Sequence, residues 1–352
     1  MSEEIQGRAI VGGVDTHKDA HVVAVIDTVG RLLGTQTFAT TTAGYHALVA
    51  WVQSFGTIQR FGIEGTSSYG AGLTRFVREA GIPVVEVNRP NRQFRRQRGK
   101  SDHVDAEAAA RAALIQELPR VPKAQDGVVE LLRIIRVQRR SAIHARTQAA
   151  NQLHALIASA PEVIRARLRD GTIPSVVSKL QRRRTFRTDL ERITHEVLRA
   201  LAKRWSRLAE EIASLDTQID TLVRACAPGL LARRGIGPEV ASALLVAAGD
   251  NPERLRNEQS FAALCGVAPL DASSGRQQRH RLNRGGNRDA NRALWVIAFV
   301  RLRIDPVTKA YMARRQAEGR TKLEVIRCLK RYIAREVFKL LQPICGEGPA
   351  PA

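Results

Sequence analysis

An α/β domain followed by two mostly helical regions is what this sequence predicts, and three observations carry the expectation. In the first hundred residues short β-prone runs alternate with helical spacing. Between 198 and 222 apolar residues recur at alternating steps of three and four. Beyond 226 a Gly-Ile-Gly-Pro turn and several helical stretches surround a serine- and glycine-rich loop. The expected divisions are residues 1–125, an α/β domain; 126–225, a helical coiled-coil region; and 226–352, a mostly α domain.

The runs RAIVGGVD, HVVAVIDT and RLLGTQTFA read as three strands joined by polar or glycine-containing turns. TTAGYHALVAWVQSF follows with a threonine cap and helical spacing of Tyr45, Leu48, Val49 and Val52. IQRFGIE is a buried strand, AGLTRFVREAG a helix closed by glycine, and IPVVEV a further strand. Strands alternating with helices imply a parallel part to the sheet. In such sheets the crevice at the carboxyl ends of the strands holds the chemistry. Asp15 ends the first strand and Glu64 the fourth.

KSDHVDAEAAARAAL then begins an alanine-rich helix, with Asp102 and Asp105 at i, i+3 on one face of its first turn. Carboxylates at a helix start compensate the macrodipole. Four acids converging after one compact α/β unit would repel one another unless a divalent cation sat between them, and carboxylate oxygens suit Mg²⁺.

Composition frames these acids. The chain has 352 residues, 44% of them hydrophobic, enough for two or three folded domains. Fifty-six Lys and Arg against 34 Asp and Glu leave a net charge of +22, which predicts a polyanionic partner. There is no run of 18 apolar residues and the N-terminal stretch lacks the pattern of a signal peptide, so the expectation is a soluble, cytoplasmic protein without a membrane partner. Cys226, Cys265, Cys328 and Cys345 form no C-x-x-C pair and read as buried small apolar residues.

GVDTHKDAHVVAVID, GIEGTSSYG and KSDHVDAEAAARAA together resemble the motifs of DEDD transposases of the IS-one-ten insertion-sequence family, relatives of the Piv DNA invertase. The resemblance implies a RuvC-like N-terminal domain of the RNase H type. It also implies that Asp15, Glu64, Asp102 and Asp105 are catalytic ligands of Mg²⁺ or Mn²⁺.

Just before Asp102, NRPNRQFRRQRGK carries six basic residues and no acid. Either a solvated loop or a phosphate-backbone contact by Arg92, Arg95, Arg96, Arg98 and Lys100 fits it. From 126 the pattern is helical. The seam Leu198, Leu201, Trp205, Leu208, Ile212, Leu215, Ile219 and Leu222 requires a partner, either the 126–160 helix or another subunit. The link GTIPSVVSKLQRRRTFR brings Arg182, Arg183 and Arg184, again a solvated or a nucleic-acid-binding run.

In the third region Gly235 and Gly237 of the G-I-G-P turn resemble a helix-hairpin-helix, whose backbone amides approach phosphate. The elements G-V-A-P, S-S-G and R-G-G-N-R extend the transposase resemblance to the C-terminal domain, with Arg276, Arg279, Arg284 and Arg288 as further nucleic-acid contacts. The family commonly has K-R-G-N where this chain has Arg284-Gly285-Gly286-Asn287. By the resemblance the serine before the glycine, Ser274, is the nucleophile, with Ser273 the adjacent alternative. The implied function is cutting and exchanging the strands of donor and target double-stranded DNA, guided by a structured noncoding bridge RNA. The implied agent is a nucleoid-associated homo-oligomer, a dimer or tetramer. Two other readings compete: a metal-dependent, junction-resolvase-like nuclease in which water attacks, and a non-catalytic nucleic-acid-binding protein.

Overall fold

The computed structural model describes residues 7–87, 101–115, 120–182, 184–251, 254–274 and 280–341. Arg92, Arg95, Arg96, Arg98, Lys100, Arg183, Arg276, Arg279 and Cys345 lie outside the described residues. Two compact units form, one from Met1–Asp126 with Ala248–Arg256, the other from Gly127–Ala247 with Asn257–Ala352.

The first unit is a five-stranded sheet in the order β3-β2-β1-β4-β5. Strands β1 (Ala9–Thr16), β2 (Ala20–Asp27) and β3 (Leu32–Ala39) form the antiparallel meander. β4 (Thr57–Glu64) and β5 (Val84–Val87) run parallel to β1. The element order is the one read from the sequence. Helix α1 (Thr42–Gln53) starts where the Thr41 side chain accepts from the Gly44 N–H at 3.1 Å. α2 (Ala71–Glu79) stops before Gly81, whose φ of +75° continues no helix. Leu48 and Val52 of α1 and Leu73 and Val77 of α2 join Val14, Val23, Phe61 and Ile63 in the core on one sheet face.

The opposite face carries α3 (Asp102–Ile115), the alanine-rich helix. Ala110 and Ala113 pack on Val11, Ile26 and Val85, and Ala106 on Val22 and Ala24. Two strand glycines let it sit this close. A Cβ on Gly13 would lie 2.1 Å from Ala110 N and 2.2 Å from Ala106 O, and one on Gly62 would lie 2.4 Å from Ala109 O. Small residues on both surfaces therefore hold the start of α3 against the carboxyl ends of β1 and β4.

The segment 248–256, far along the chain, belongs to this unit. The buried Asn251 side chain donates to Pro122 O at 2.8 Å and accepts from Ala124 N–H at 3.1 Å. Arg254 donates to Val121 O at 3.2 Å and pairs with Glu86 at 3.8 Å.

His21 of β2 is fully buried, lies parallel to the Tyr45 ring at 5.9 Å, and neither ring nitrogen has a hydrogen-bond partner among the described residues. Burial first, and the nearby His17 second, pull its pKa down to about 4. An unfolded histidine titrates near about 6.5, so between these values the unfolded chain holds a proton that the folded one does not. Stability of this unit should therefore fall as pH drops from about 6.5 towards 4, by up to about 3 kcal/mol. His21→Phe should flatten that slope in amide-exchange protection of β2; an unaltered slope would assign it to other groups.

The second unit is helical apart from one small hairpin. α4 (Val128–Ser159) and α7 (Asp189–Cys226) pack along one another. Of the heptad seam, Leu198, Ile212, Leu215 and Ile219 are buried and Leu201, Trp205, Leu208 and Leu222 half-buried, with α4 of the same chain as the packing partner. Arg139 reaches from α4 to Asp216 and Gln138 to Glu211. α5 (Glu162–Leu168) and α6 (Ile173–Gln181) close one end, with Ile164, Leu168, Val176, Val177 and Leu180 packed on Leu153, Ile157 and Leu198. α6 occupies a stretch the sequence presented as a link.

Beyond the short α8 (Pro228–Leu231) come α9 (Pro238–Ala248), α10 (Glu258–Leu264), the β6–β7 hairpin (Leu270–Asp271 and His280–Arg281), α11 (Arg288–Ile304), α12 (Pro306–Ala317) and α13 (Lys322–Leu341). Cys265 is buried, and burial pushes its thiol up to about 12; Cys226 and Cys328 are only half-buried, a correction to the expectation that all would be enclosed. No helix among the described residues is long and apolar enough to cross a membrane.

Candidate metal centre and serine loop

Asp15 is the penultimate residue of β1 and Glu64 the last of β4. The strands are in parallel register through Val14 and Ile63, one step before both acids. Thr16 Oγ1 donates to Glu64 O at 2.9 Å and ties the two strand ends together. Side chains alternate across a strand, and Gly13 and Gly62 face α3, so Asp15 and Glu64 rise on that same face. The first turn of α3 brings Asp102 and Asp105 to it.

Among the described residues one group of three sets its ligand atoms within 4.8 Å of one another: Asp15, His17 and Asp102. His17 Nε2 lies 3.2 Å from Asp15 Oδ2 and 3.5 Å from Asp102 Oδ2. Asp15 is 9% exposed and Asp105 7%, while Asp102 and His17 are open to solvent. Burial raises the Asp15 pKa; His17 opposes this, and the charges of Asp105 and Asp102 raise it further. The site is thus short of positive charge in an otherwise cationic chain. An oxygen-rich, crowded donor set of this kind fits a divalent cation.

Asp105 stands close enough to act electrostatically on Asp15, but neither it nor Glu64 belongs to the tight group. His17 is the residue that sequence reasoning missed. Its signal was present: Asp15 and His17 are two apart at a strand end, which puts both on one face. A shallow hollow lined by His17, Val22, Thr37, Ser101, Asp102 and His103 opens beside the cluster.

In the second unit, Ser273 and Ser274 follow β6 of the hairpin. Ser273 donates its N–H to Asp271 Oδ1 at 2.9 Å and its hydroxyl to the same oxygen. Ser274 is exposed, and no hydrogen bond to its hydroxyl occurs among the described residues. The Arg284–Asn287 turn is built against α10: a Cβ on Gly286 would lie 2.2 Å from Gly266 N, and the Asn287 N–H donates to Leu264 O at 2.6 Å. Asn287 caps α11, accepting from Ala290 N–H at 2.9 Å. This turn exposes Arg284 and Arg288, and Arg182 and Arg184 are exposed after α6. Gly235 has φ +79°, and a Cβ there would lie 3.3 Å from Ile297 O of α11, while a Cβ on Gly237 would point into open space among the described residues.

Two family models match the chain. One, for DEDD transposases of the IS110 type and described as Transposase, covers residues 12–160, and one described as Transposase IS116/IS110/IS902 family covers residues 229–313. The chain belongs to the IS110 transposase family. The first match takes in Asp15, Glu64, Asp102 and Asp105, and the second takes in Ser274. Among IS110-type relatives, the "Insertion element IS110 uncharacterized 43.6 kDa protein" of Streptomyces coelicolor is 31% identical over 149 residues, 42% of this chain and 36% of that one. The "Probable family 20 transposase" of Pseudomonas aeruginosa is 33% identical over 184 residues, 51% of this chain and 52% of that one. The IS117 mini-circle protein of S. coelicolor is 24% identical over 366 aligned positions, 87% of each chain. The first two matches therefore span about a third and about half of those relatives.

Proposed function

We propose that the chain is a DNA transposase-recombinase whose N-terminal carboxylates hold a divalent cation and whose Ser274 attacks a DNA phosphodiester. The observation that carries this reading is the cluster of Asp15, His17 and Asp102 at the carboxyl edge of the sheet, in a chain of net charge +22. Family membership supports the reaction class. An antiparallel meander continued by two parallel strands, with one helix across the face that bears the acids, supports a RuvC-like fold.

Asp15 and Asp102, with Asp105 and Glu64 as further carboxylates of the family motif, would hold Mg²⁺ or Mn²⁺, and His17 adds a nitrogen to the donor set. Bound there, the cation supplies charge neutralisation at the phosphate and a lowered pKa for a hydroxyl nucleophile. Without the cation, a His17 Nε2–H between the two carboxylates would relieve their repulsion; as a ligand the same nitrogen would give up that proton. Ser274, whose hydroxyl has no partner among the described residues, is better placed to react than Ser273, whose hydroxyl is held by Asp271. Its Oγ forms a bond to phosphorus as the bond to the departing sugar oxygen breaks. The hydroxyl proton passes to solvent or a carboxylate, and the departing oxygen takes up a proton. The phosphoserine ester keeps the bond energy for rejoining by the hydroxyl of another strand.

Exchange between donor and target duplexes requires more than one cut, so a dimer or tetramer is part of the proposal. A structured guide RNA enters on the family resemblance, and the large cationic excess supports a second polyanion beside DNA. Titration calorimetry with Mn²⁺ tests the centre. Binding should weaken about 100-fold or more in Asp102→Asn, and chelation should stop DNA cleavage until Mg²⁺ is restored. Cleavage that persists under chelation would contradict the reading. Cut products released without joining would favour a water-attacking nuclease.

A further inference from the structure

Arginines crowd around a buried histidine where α5, α6 and the start of α7 meet. His195 of α7 is 3% exposed, its ring lies 4.7 Å from that of Phe186, and its Nε2 has no hydrogen-bond partner among the described residues. Arg167 of α5 has Nε and Nη2 buried without partners, and so has Arg199 its Nε, one turn beyond His195. Among the described residues Arg199 makes only a long contact, from Nη2 to Gln181 O at 3.5 Å. Arg184 is near enough to act electrostatically on both Arg167 and His195. A hollow opens here, lined by Arg184, Phe186, Arg187, His195 and Arg199; Arg167 is near it but not part of its lining.

Two acids also line this hollow, Asp189 and Glu196, but both are taken: Arg192 donates to each at 3.1 Å. Arg167, Arg184 and Arg199 are left with no carboxylate in an ion pair among the described residues. Burial, then Arg167, Arg199 and Arg184, hold the His195 pKa below its ordinary value, and burial and Arg184 do the same to Arg167. Buried donors without partners each cost about 1–3 kcal/mol, so four such atoms in one place are a poor way to stabilise a helix bundle. An anion in the hollow would face Arg199 and His195 and offset the charge of the nearby Arg167. The N-terminus of the 38-residue α7 adds its partial positive charge at the same spot.

We propose that this hollow binds a phosphate group of a nucleic-acid backbone, held by Arg184 and Arg199 with His195 Nε2 as a further hydrogen-bonding group and the nearby charge of Arg167 in support. Phosphate offers oxygens on several sides at once, which suits donors gathered from two helices and a loop, and planar guanidinium groups engage it in pairs. A net charge of +22 favours a polyanion over a lone anion as its source. The site uses residues of 167–199 alone, so it stands whether or not the carboxylates and Ser274 catalyse strand exchange.

The test measures binding by the full-length chain of a labelled RNA hairpin and a labelled DNA duplex over a range of salt. Removing one phosphate contact lowers the slope of log K against log salt by about 0.7–0.9. The double variant Arg184→Gln/Arg199→Gln should lose that much slope and about 10-fold in affinity for one or both probes. Arg224→Gln, whose guanidinium already pairs with Asp220 at 2.6 Å, should change neither. Slope lost with RNA alone identifies RNA as the source, and with DNA alone DNA. As a check independent of those variants, inorganic phosphate at constant ionic strength should shift the His195 imidazole resonance. Unchanged slopes with both probes would overturn the assignment to nucleic acid, whether or not free phosphate moves the resonance.

Discussion

Asp15→Asn is expected to lower DNA strand cleavage at least about 10³-fold while leaving DNA binding within about threefold of the unaltered chain. The carboxylate is nearly enclosed and lies beside His17, Asp102 and Asp105, so its loss strips the proposed cation of one of its two buried carboxylates. Binding should persist because the change removes a negative charge from a chain that binds through positive ones. Stability should move the other way. A carboxylate whose folded pKa is raised stabilises the fold at low pH and loses that contribution as pH rises through the folded value. Near neutrality the cation-free asparagine variant should therefore melt above the unaltered chain, and Mg²⁺ should raise the melting temperature of the unaltered chain only. Cleavage retained by the variant, or equal response of both proteins to Mg²⁺, would remove Asp15 from the centre.

Gly13→Val should destabilise the N-terminal unit by about 2–4 kcal/mol and suppress cleavage together with it. Its first added carbon would meet the backbone of α3, at Ala110 N and Ala106 O, and backbone cannot swing aside as a side chain can. The helix must lift or tilt, and Asp102 and Asp105 move with it. A displacement of about 1 Å is enough to cost about 10²-fold in rate where groups must converge on one centre. Gly72→Ala is the control. Its Cβ meets the free end of Tyr45 at 2.8 Å, and alanine is about 1 kcal/mol better than glycine within a helix. Urea denaturation and cleavage of labelled duplex should separate the two; equal stability of Gly13→Val and Gly72→Ala would show that α3 does not depend on the glycine.

The N-terminal unit was legible because its runs are short, β-branched and punctuated by glycine, and the element order followed from them. Strand ends and a helix start marked out Asp15, Glu64, Asp102 and Asp105 in the sequence, and of these the tight group holds Asp15 and Asp102. His17 was passed over although its two-residue step from Asp15 was there to read, because a lone histidine weighs little beside four acids. The seam at 198–222 was legible as a buried face but not its partner, since apolar steps of three and four look alike against the same chain or another. α6 escaped notice because Pro174 and the Val176-Val177 pair resemble a link, although proline at a first helical turn is a start signal. The packing of 248–256 with the N-terminal unit rests on Asn251 and Arg254 hydrogen bonds to distant backbone, which no local pattern announces.

The most direct test of the proposed chemistry is the search for a covalent protein–DNA adduct on denaturing gels, using labelled insertion-sequence ends, the full-length chain and Mg²⁺. The unaltered chain should shift label to protein size in a form removed by protease, and Ser273→Ala should retain that adduct. Ser274→Ala should bind the same DNA yet form none. An adduct in Ser274→Ala, or cleavage by the unaltered chain with no adduct at any time, would contradict a serine nucleophile.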